Sequence, residues 1–338
     1  MNTELFLKKY NLDKNNFSNI KQYLDNYLKN KNNLKTFYKT DKKFIKLAYN
    51  TNFKFCDIMS DFMKELYGLY EFENENSILN NLNNDFDQIN EKLNNDGFFI
   101  TEINDKVCDN ILERLNKYNF YDRITKTYIK YDDIKHNKNL GNTFWINKMG
   151  DVLNIPEVIN LIKDPSLLKI VQKFLGCKPI LTQTNLWKSI NNSVDKNNLS
   201  SSAQLFHRDF DHEKWLKIFI YLNDVTEKNG PHCFVKGSHK NVLNNHKVHP
   251  STRESDNFIK KHYDPKNIKF HCGKKGTIVF ENTRGYHKGT PVIQGERLIL
   301  QLEFAINPYC SGVVSNFKLE NNDMISSKYD YLYQIIKK

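Results

Sequence analysis

The sequence predicts a mainly β protein with flanking helices, a sandwich or jelly roll carrying an added helical region at its N-terminal end. Two patterns carry that reading. Downstream of Lys178 the runs "KPILTQTNLWKSI", "AQLFH", "WLKIFIYLNDV", "HCFVKG", "GTIVFEN" and "RLILQLEFAI" are short, rich in Ile, Val, Phe, Tyr and Leu, and bounded by Gly, Pro and Asn. Strands in such succession, without helices between them, indicate sheets that pack face to face. Upstream, apolar residues recur at helical spacing instead. A chain of 338 residues with 39% hydrophobic content can bury a full core without covalent staples. The predicted division is a helical region over 1–92, a jelly-roll domain over 93–312 and a helical extension over 313–338.

Taken in order, "NNFSNIKQYLDNYL" sets Phe17, Ile20, Tyr23, Leu24, Tyr27 and Leu28 on one stripe, and "FCDIMSDFMKELYGLY" repeats the pattern. The polar stretch "ENENSILNNLNNDFDQINEKLNNDG" keeps Ile78, Leu79, Leu82, Phe86, Ile89 and Leu93 in helical register, which predicts a surface helix ending at a turn on Gly97. "GFFITEINDKVCDNILERLNKY" then reads as strand followed by helix. "DPSLLKIVQKFLG" predicts a helix over Pro165–Leu175, with Asp164 as N-cap and Gly176 as C-cap. Two polar segments interrupt the β region, "NNSVDKNNLSSS" and residues 240–267. The second is a lid candidate because it concentrates Lys247, Arg253, Lys260 and Lys261; a solvated loop is the plain alternative.

Formal charge is +11, but Asn and Lys are abundant along the whole chain, which favours compositional bias over a polyanion site. Residues 1–50 hold eleven lysines against four acids, and residues 51–100 hold three against ten, so these segments are expected to pair internally. Cys56, Cys108, Cys177, Cys233, Cys272 and Cys310 form no C-x-x-C pair and read as reduced packing residues of a cytoplasmic protein. No apolar run approaches the roughly 18 residues that span a bilayer, and "MNTELFLKKYNLDKNN" lacks a signal-peptide core.

The chemistry concentrates in "FHRDFDHEKWLKIFIYLNDV". His207 and Asp209 stand at i and i+2, so on a strand they project from one face and can chelate one ion. Two histidines and one carboxylate with open positions suit Fe, Mn or Zn, and form the site of non-haem Fe(II) oxygenases. His287, in a Gly-rich turn between two strands, is the candidate third ligand. Ten residues later Arg297 is the only charge at the mouth of "RLILQLEF". A buried Arg needs an anion, and its planar fork matches a carboxylate, so a carboxylate-bearing cosubstrate between metal and Arg297 is the natural reading.

The ordered set of H-x-D at 207–209, "NGPHCFVKGSHK", "GTIVFEN", His287, "GER" ending at Arg297 and the upstream "DPSLLKIVQKFLG" resembles the phytanoyl-CoA dioxygenase family of Fe(II)/2-oxoglutarate oxygenases over roughly residues 95–310. The resemblance implies a double-stranded β-helix of cupin type. It implies His207, Asp209 and His287 as the metal triad and Arg297 as partner of the distal 2-oxoglutarate carboxylate. Thr290 and Gln183 are further cosubstrate candidates. An Asn and a Ser common between the distal His and the Arg are here Val292 and Gln294. The implied activity uses Fe(II), 2-oxoglutarate and O2 to hydroxylate a small organic substrate, releasing succinate and CO2.

His212, His232 and His239 compete as ligands; His212 is expected at the pocket rim and His239 in a turn. Lys217 interrupts an apolar strand on the face of Phe219 and Tyr221, either toward an anionic group or snorkelling at the sheet margin. Lys217, Trp187, Arg284 and Tyr221 are candidate substrate contacts, with core packing favoured for Trp187. The basic lid and Lys217 hint at an anionic substrate. Glu303 stands where nucleic-acid dealkylating relatives carry a second Arg, which argues against a nucleic-acid substrate. A macromolecular substrate, zinc hydrolysis and a non-catalytic binding role stay open as alternatives.

Overall fold

Every strand pairing is antiparallel, as short strands separated by tight turns predict. The structure, a computed structural model, describes residues 1–31, 43–72, 77–80, 82, 85–136, 141–146, 149–191, 204–240, 253–307 and 332. The N-terminal part contains α1 (Thr3–Leu7), α2 (Lys14–Asn30), α3 (Lys43–Asn50) and α4 (Lys54–Tyr67). There follow β1 (Leu79–Asn80), α5 (Phe86–Asp96), β2 (Phe98–Ile103), α6 (Asp105–Arg114), β3 (Asn119–Asp122), β4 (Thr127–Lys130) and β5 (Thr143–Ile146). Then come α7 (Met149–Leu153), α8 (Pro156–Ile162), α9 (Pro165–Leu175), β6 (Ile180–Ile190), β7 (Trp215–Tyr221) and β8 (His232–Val235). The chain continues through α10 (Asp256–His262), β9 (Ile268–His271), β10 (Thr277–Glu281), β11 (His287–Gly289) and β12 (Glu296–Ala305).

A large sheet runs in the order β1-β2-β10-β7-β12-β6-β5-β3-β4, and a small one runs β11-β8-β9. Isolated bridges His207↔His287 and Phe206↔Glu254 extend the small sheet past β11, so among the described residues of the predicted strand "AQLFH" only Phe206 and His207 pair. Side chains alternate along β7 and β12, while β6 breaks the alternation at a bulge opposite Glu303 and Phe304. On β7 and β12, Leu216, Ile218, Ile220, Leu298, Leu300, Leu302 and Phe304 enter the main core with the helices. The intervening Phe219, Tyr221 and Ile299 join Trp187 in a separate inner cluster.

The helices follow their sequence signals. Asp13 caps α2 by accepting from Asn16 N, and Ile20, Tyr23, Leu24 and Tyr27 are buried on it. Asp164 accepts from Leu167 N and Gly176 ends α9 in the left-handed region, both as predicted. The predicted helix through Ile78 is corrected: the helix is only α5, and Leu79 pairs with Ile103 at the sheet edge. The cause is tertiary. Asp164 accepts from Ile78 N at 2.7 Å and Ser77 Oγ at 2.9 Å, which holds that stretch extended.

Within the lid candidate, residues 241–252 with Lys247 lie outside the described residues. Its remainder folds as α10, with Ser255 as N-cap and Ile259 buried beside Phe206, Cys233, Val235 and Tyr286. Of the extension 313–338 only Leu332 is described, and its carbonyl accepts from Leu181 N at 3.0 Å. Cys56, Cys108, Cys177 and Cys233 are buried free thiols and Cys272 is exposed; Cys310 is outside the described residues. Among the described residues no helix is long and apolar enough to cross a membrane.

Candidate functional site

The H-x-D segment and the start of β11 lie side by side because their backbones pair. His207 N donates to His287 O at 3.0 Å and His287 N returns a bond to His207 O at 2.9 Å. Asp209 N donates to Thr283 O at 2.9 Å, which carries the carboxylate to the same end of the barrel. The ring centroids of His207 and His287 are 4.3 Å apart. His207 Nδ1 is 2.9 Å from Leu205 O and His287 Nδ1 is 3.0 Å from Gly285 O. A carbonyl only accepts, so Nδ1 carries a proton and each neutral ring keeps its lone pair at Nε2. Those Nε2 atoms sit 3.9 Å from Asp209 Oδ1 and 3.3 Å from Asp209 Oδ2 respectively. Among the described residues this is the one trio of His, Cys, Asp or Glu whose ligand atoms all fall within 4.8 Å.

Electrostatics separates the three. Burial, reinforced by the neighbouring His287, lowers the His207 pKa to about 3. Burial alone would raise the Asp209 pKa, but Lys217 and the two imidazoles outweigh it and hold the carboxyl well below its usual range. For His287 burial disfavours charge, yet the Asp209 contact prevails and its pKa is raised. Two imidazoles and a carboxylate converging on one point form a donor set suited to a borderline divalent ion, so the residues fit a non-haem iron.

A cavity of about 130 Å³ opens beside the trio, walled by Trp145, Trp187, Phe219 and Ile299 and reaching Arg297. Arg297 is 5% exposed. Its Nη1 donates to Gly230 O and, at 3.5 Å, to Thr290 O; Nη2 reaches Ser189 Oγ at 3.5 Å; Nε has no partner. Arg297 meets no carboxylate among the described residues, and burial pulls its pKa down to about 10. A buried guanidinium without an anion at the end of a small cavity fits a carboxylate ligand.

The remaining sequence candidates divide. Trp187 packs against Trp145, with ring centroids 4.7 Å apart, and also lines the cavity. Thr290 is adjacent to Arg297, but its hydroxyl donates to Pro231 O at 2.7 Å and only its carbonyl faces the guanidinium. Gln183 stands behind Gln301, whose Nε2 donates to Gln183 Oε1 at 3.2 Å; the cavity wall is Gln301. Lys217 reaches the cavity but is not free for a substrate, because Asp209, Asp211 and Glu303 take its ammonium. Arg284 faces away from the site, 4.3 Å over the Phe53 ring with Nη1 donating to Cys56 Sγ at 3.4 Å. Tyr221 is fully buried, donating to His271 O at 2.7 Å and accepting from His232 N at 3.1 Å, so it holds the sheets together.

Among the competing histidines, His212 is not at a rim: it is 1% exposed, with Nε2 3.2 Å from Glu303 Oε1. His239 caps a turn as expected, Nε2 lying 2.9 Å from Asn94 O. His232 lines the cavity, stacks on Phe219 and pairs with Glu281 at 2.9 Å. Sequence reasoning missed Ser189, Thr143, Trp145 and Gln301. The signal lay in strand register, because β6 and β12 pair Ser189 with Arg297 and Trp187 with Ile299, and β5 pairs Trp145 with Trp187.

The family model of phytanoyl-CoA dioxygenase (PhyH) matches residues 94–294. The comparison with curated proteins gave no match. Among solved structures, HygX from Streptomyces hygroscopicus, with nickel and 2-oxoglutarate bound, is 14% identical over 71% of this chain and 93% of its own, with a TM-score of 0.46. AviO1 from Streptomyces viridochromogenes Tue57 is 16% identical, covering 68% and 98%, with a TM-score of 0.45. EvdO2 from Micromonospora carbonacea var. aurantiaca is 14% identical, covering 68% and 93%, with a TM-score of 0.43. These distant likenesses carry no weight beside the family match, which spans more than half of the chain. The chain belongs to the phytanoyl-CoA dioxygenase family, and is an Fe(II)- and 2-oxoglutarate-dependent dioxygenase.

Proposed function

We propose that His207, Asp209 and His287 hold Fe(II), that Arg297 pairs with the distal carboxylate of 2-oxoglutarate, and that the enzyme hydroxylates a small organic molecule. The observation that carries this reading is a single cavity lined both by three converging donors and by a buried guanidinium that meets no anion among the described residues. Once bound, Fe(II) and 2-oxoglutarate supply the oxidation, in which O2 gives one oxygen atom to succinate, with loss of CO2, and the other to the substrate. The chain's own residues hold and shield. Leu205 and Gly285 carbonyls fix the tautomers of the two ligand histidines, Ser189 and Gly230 aim Arg297, and the Trp145, Trp187 and Phe219 rings exclude water.

An anionic substrate loses its support from Lys217, whose donors are taken by protein carboxylates. A small neutral molecule held against the aromatic wall is the better match. The buried free thiols fit a reducing compartment, the cytoplasm. The test is anaerobic addition of Fe(II) and then 2-oxoglutarate to metal-free protein, following the weak visible charge-transfer band. Wild type should develop the band, His207→Ala should not, and Arg297→Ala should need on the order of 10- to 100-fold more 2-oxoglutarate. A full band in His207→Ala would reject the ligand assignment.

A further inference from the structure

We propose that Lys217 is a positioning residue that fixes the rotation of the Asp209 carboxylate, an inference that rests on the reading of Asp209 as a metal ligand. Lys217 projects from the middle of β7 toward the cavity, 8% exposed. Its Nζ lies 2.6 Å from Asp209 Oδ2, 2.8 Å from Asp211 Oδ2 and 3.3 Å from Glu303 Oε2. Its charge is met by three protein carboxylates, Asp209 through a hydrogen bond and Glu303 through an ion pair alone, so the ammonium is taken by the protein and not by a substrate anion.

The anchorage is asymmetric, and that gives Lys217 its role. Glu303 sits on β12 directly opposite Lys217 in the large sheet. Its own Oε1 accepts from Thr182 Oγ1 at 2.7 Å and lies 3.2 Å from His212 Nε2. Lys217 and Glu303 therefore form a rigid strut on two paired central strands. Asp209 and Asp211, by contrast, lie on the segment between the His207 bridge and β7, outside any strand. The torsion that orients a carboxylate is broad and two-fold, so a main-chain hydrogen bond alone does not choose which oxygen faces the metal position. Lys217 makes the choice: Oδ2 receives the ammonium and lies 3.3 Å from His287 Nε2, while Oδ1, 3.9 Å from His207 Nε2, accepts no hydrogen bond among the described residues. Carboxylates that ligate metals depend on such outer partners, whose loss typically costs 10- to 100-fold in affinity.

The experiment is titration of metal-free protein with Co(II), followed by calorimetry and by the visible cobalt absorption, in wild type, Lys217→Met, Lys217→Arg, Glu303→Gln and Asp209→Ala. Removing a positive charge beside the site would by itself tighten binding of a cation. The positioning role predicts the opposite, at least tenfold weaker Co(II) binding by Lys217→Met with an altered absorption envelope, and recovery to within a few-fold in Lys217→Arg. Glu303→Gln, which loosens the strut and leaves Lys217 in place, should weaken binding several-fold; it decides the matter should Lys217→Met not fold. Binding in Lys217→Met as tight as wild type or tighter, or in Glu303→Gln unchanged, overturns the positioning role. Asp209→Ala separates the two levels: Co(II) binding at wild-type strength in that variant sinks the metal reading and this inference together. Loss of binding there, with Lys217→Met unaffected, sinks this inference alone.

Discussion

Glu281 is a fully buried carboxyl whose Oε1 lies 2.9 Å from His232 Nε2 while Oε2, 3.8 Å from His271 Nε2, makes no hydrogen bond. Burial pushes its pKa from 4.5 to about 8. The folded-state value is raised, so this group's contribution to stability is complete below about pH 4.5 and is lost as pH climbs through about 8, on the order of 5 kcal/mol in total. His207 and His271, lowered to about 3, act in the other sense and cost stability only as pH falls below 6.5. Between pH 6.5 and 8 the melting temperature of metal-free wild type should therefore fall more steeply than that of Glu281→Gln; parallel curves would contradict the assignment. At this scale the sequence brought out, from residue identity and spacing together, His207, Asp209 and His287, whose donor atoms cluster, and Arg297, which lines the same cavity. It was not legible for Lys217, Arg284 or Tyr221. Each of those meets partners brought from distant segments, Glu303, Phe53 and His271 among them, and no local pattern announces them.

Elements place these groups, and the turn before β8 shows how narrow the tolerance is. Gly230 closes a short 3-10 turn with φ of 76°, and its carbonyl accepts from Arg297 Nη1. A Cβ there would meet Thr290 O at 2.5 Å, in a backbone region that side chains seldom adopt. Gly230→Ala should lower stability by about 1–3 kcal/mol and, by displacing Thr290 and the Gly230 carbonyl together, weaken 2-oxoglutarate binding as well. Thermal melting and the anaerobic charge-transfer titration read the two effects; unchanged cosubstrate affinity would exclude the coupling. Strands β6, β7, β10 and β12 were readable as dense β-branched and aromatic runs, and the four-residue β8 by the glycines that bound it. By contrast β3, β4 and β5 are only four residues each, and β11 is three residues in a Gly-rich turn, too short for a period to register. Ile78 and Leu79 kept a helical spacing that the Asp164 carboxylate overrides.

For the whole molecule, the helices before residue 72 and the outer face of the large sheet share one core, in which Tyr27, Phe55 and Phe62 belong with Leu216 and Leu300. Polar contacts cross the same boundary, Tyr23 Oη donating to Glu213 Oε1 at 2.6 Å, and Lys9, in the turn after α1, pairs with Glu65 on α4 as the opposed charges of the first hundred residues predict. We propose that regions 1–92 and 93–312 unfold together. Calorimetry should give one transition whose van't Hoff and calorimetric enthalpies agree, and two resolved transitions would contradict it. The boundary passes through the segment 207–209, which holds two of the proposed metal ligands. Arg208, between His207 and Asp209, turns the other way; its Nη1 donates to Tyr49 Oη at 2.9 Å and its guanidinium lies over the Tyr49, Phe210 and Tyr286 rings. One tripeptide is thus read from both sides, like a key cut on two edges. Anyone transplanting this barrel onto another helical layer must carry Tyr49 along with residues 207–209 as a single cassette, since a change of helical layer that forgets it rewrites the seat of His207 and Asp209 without touching either residue.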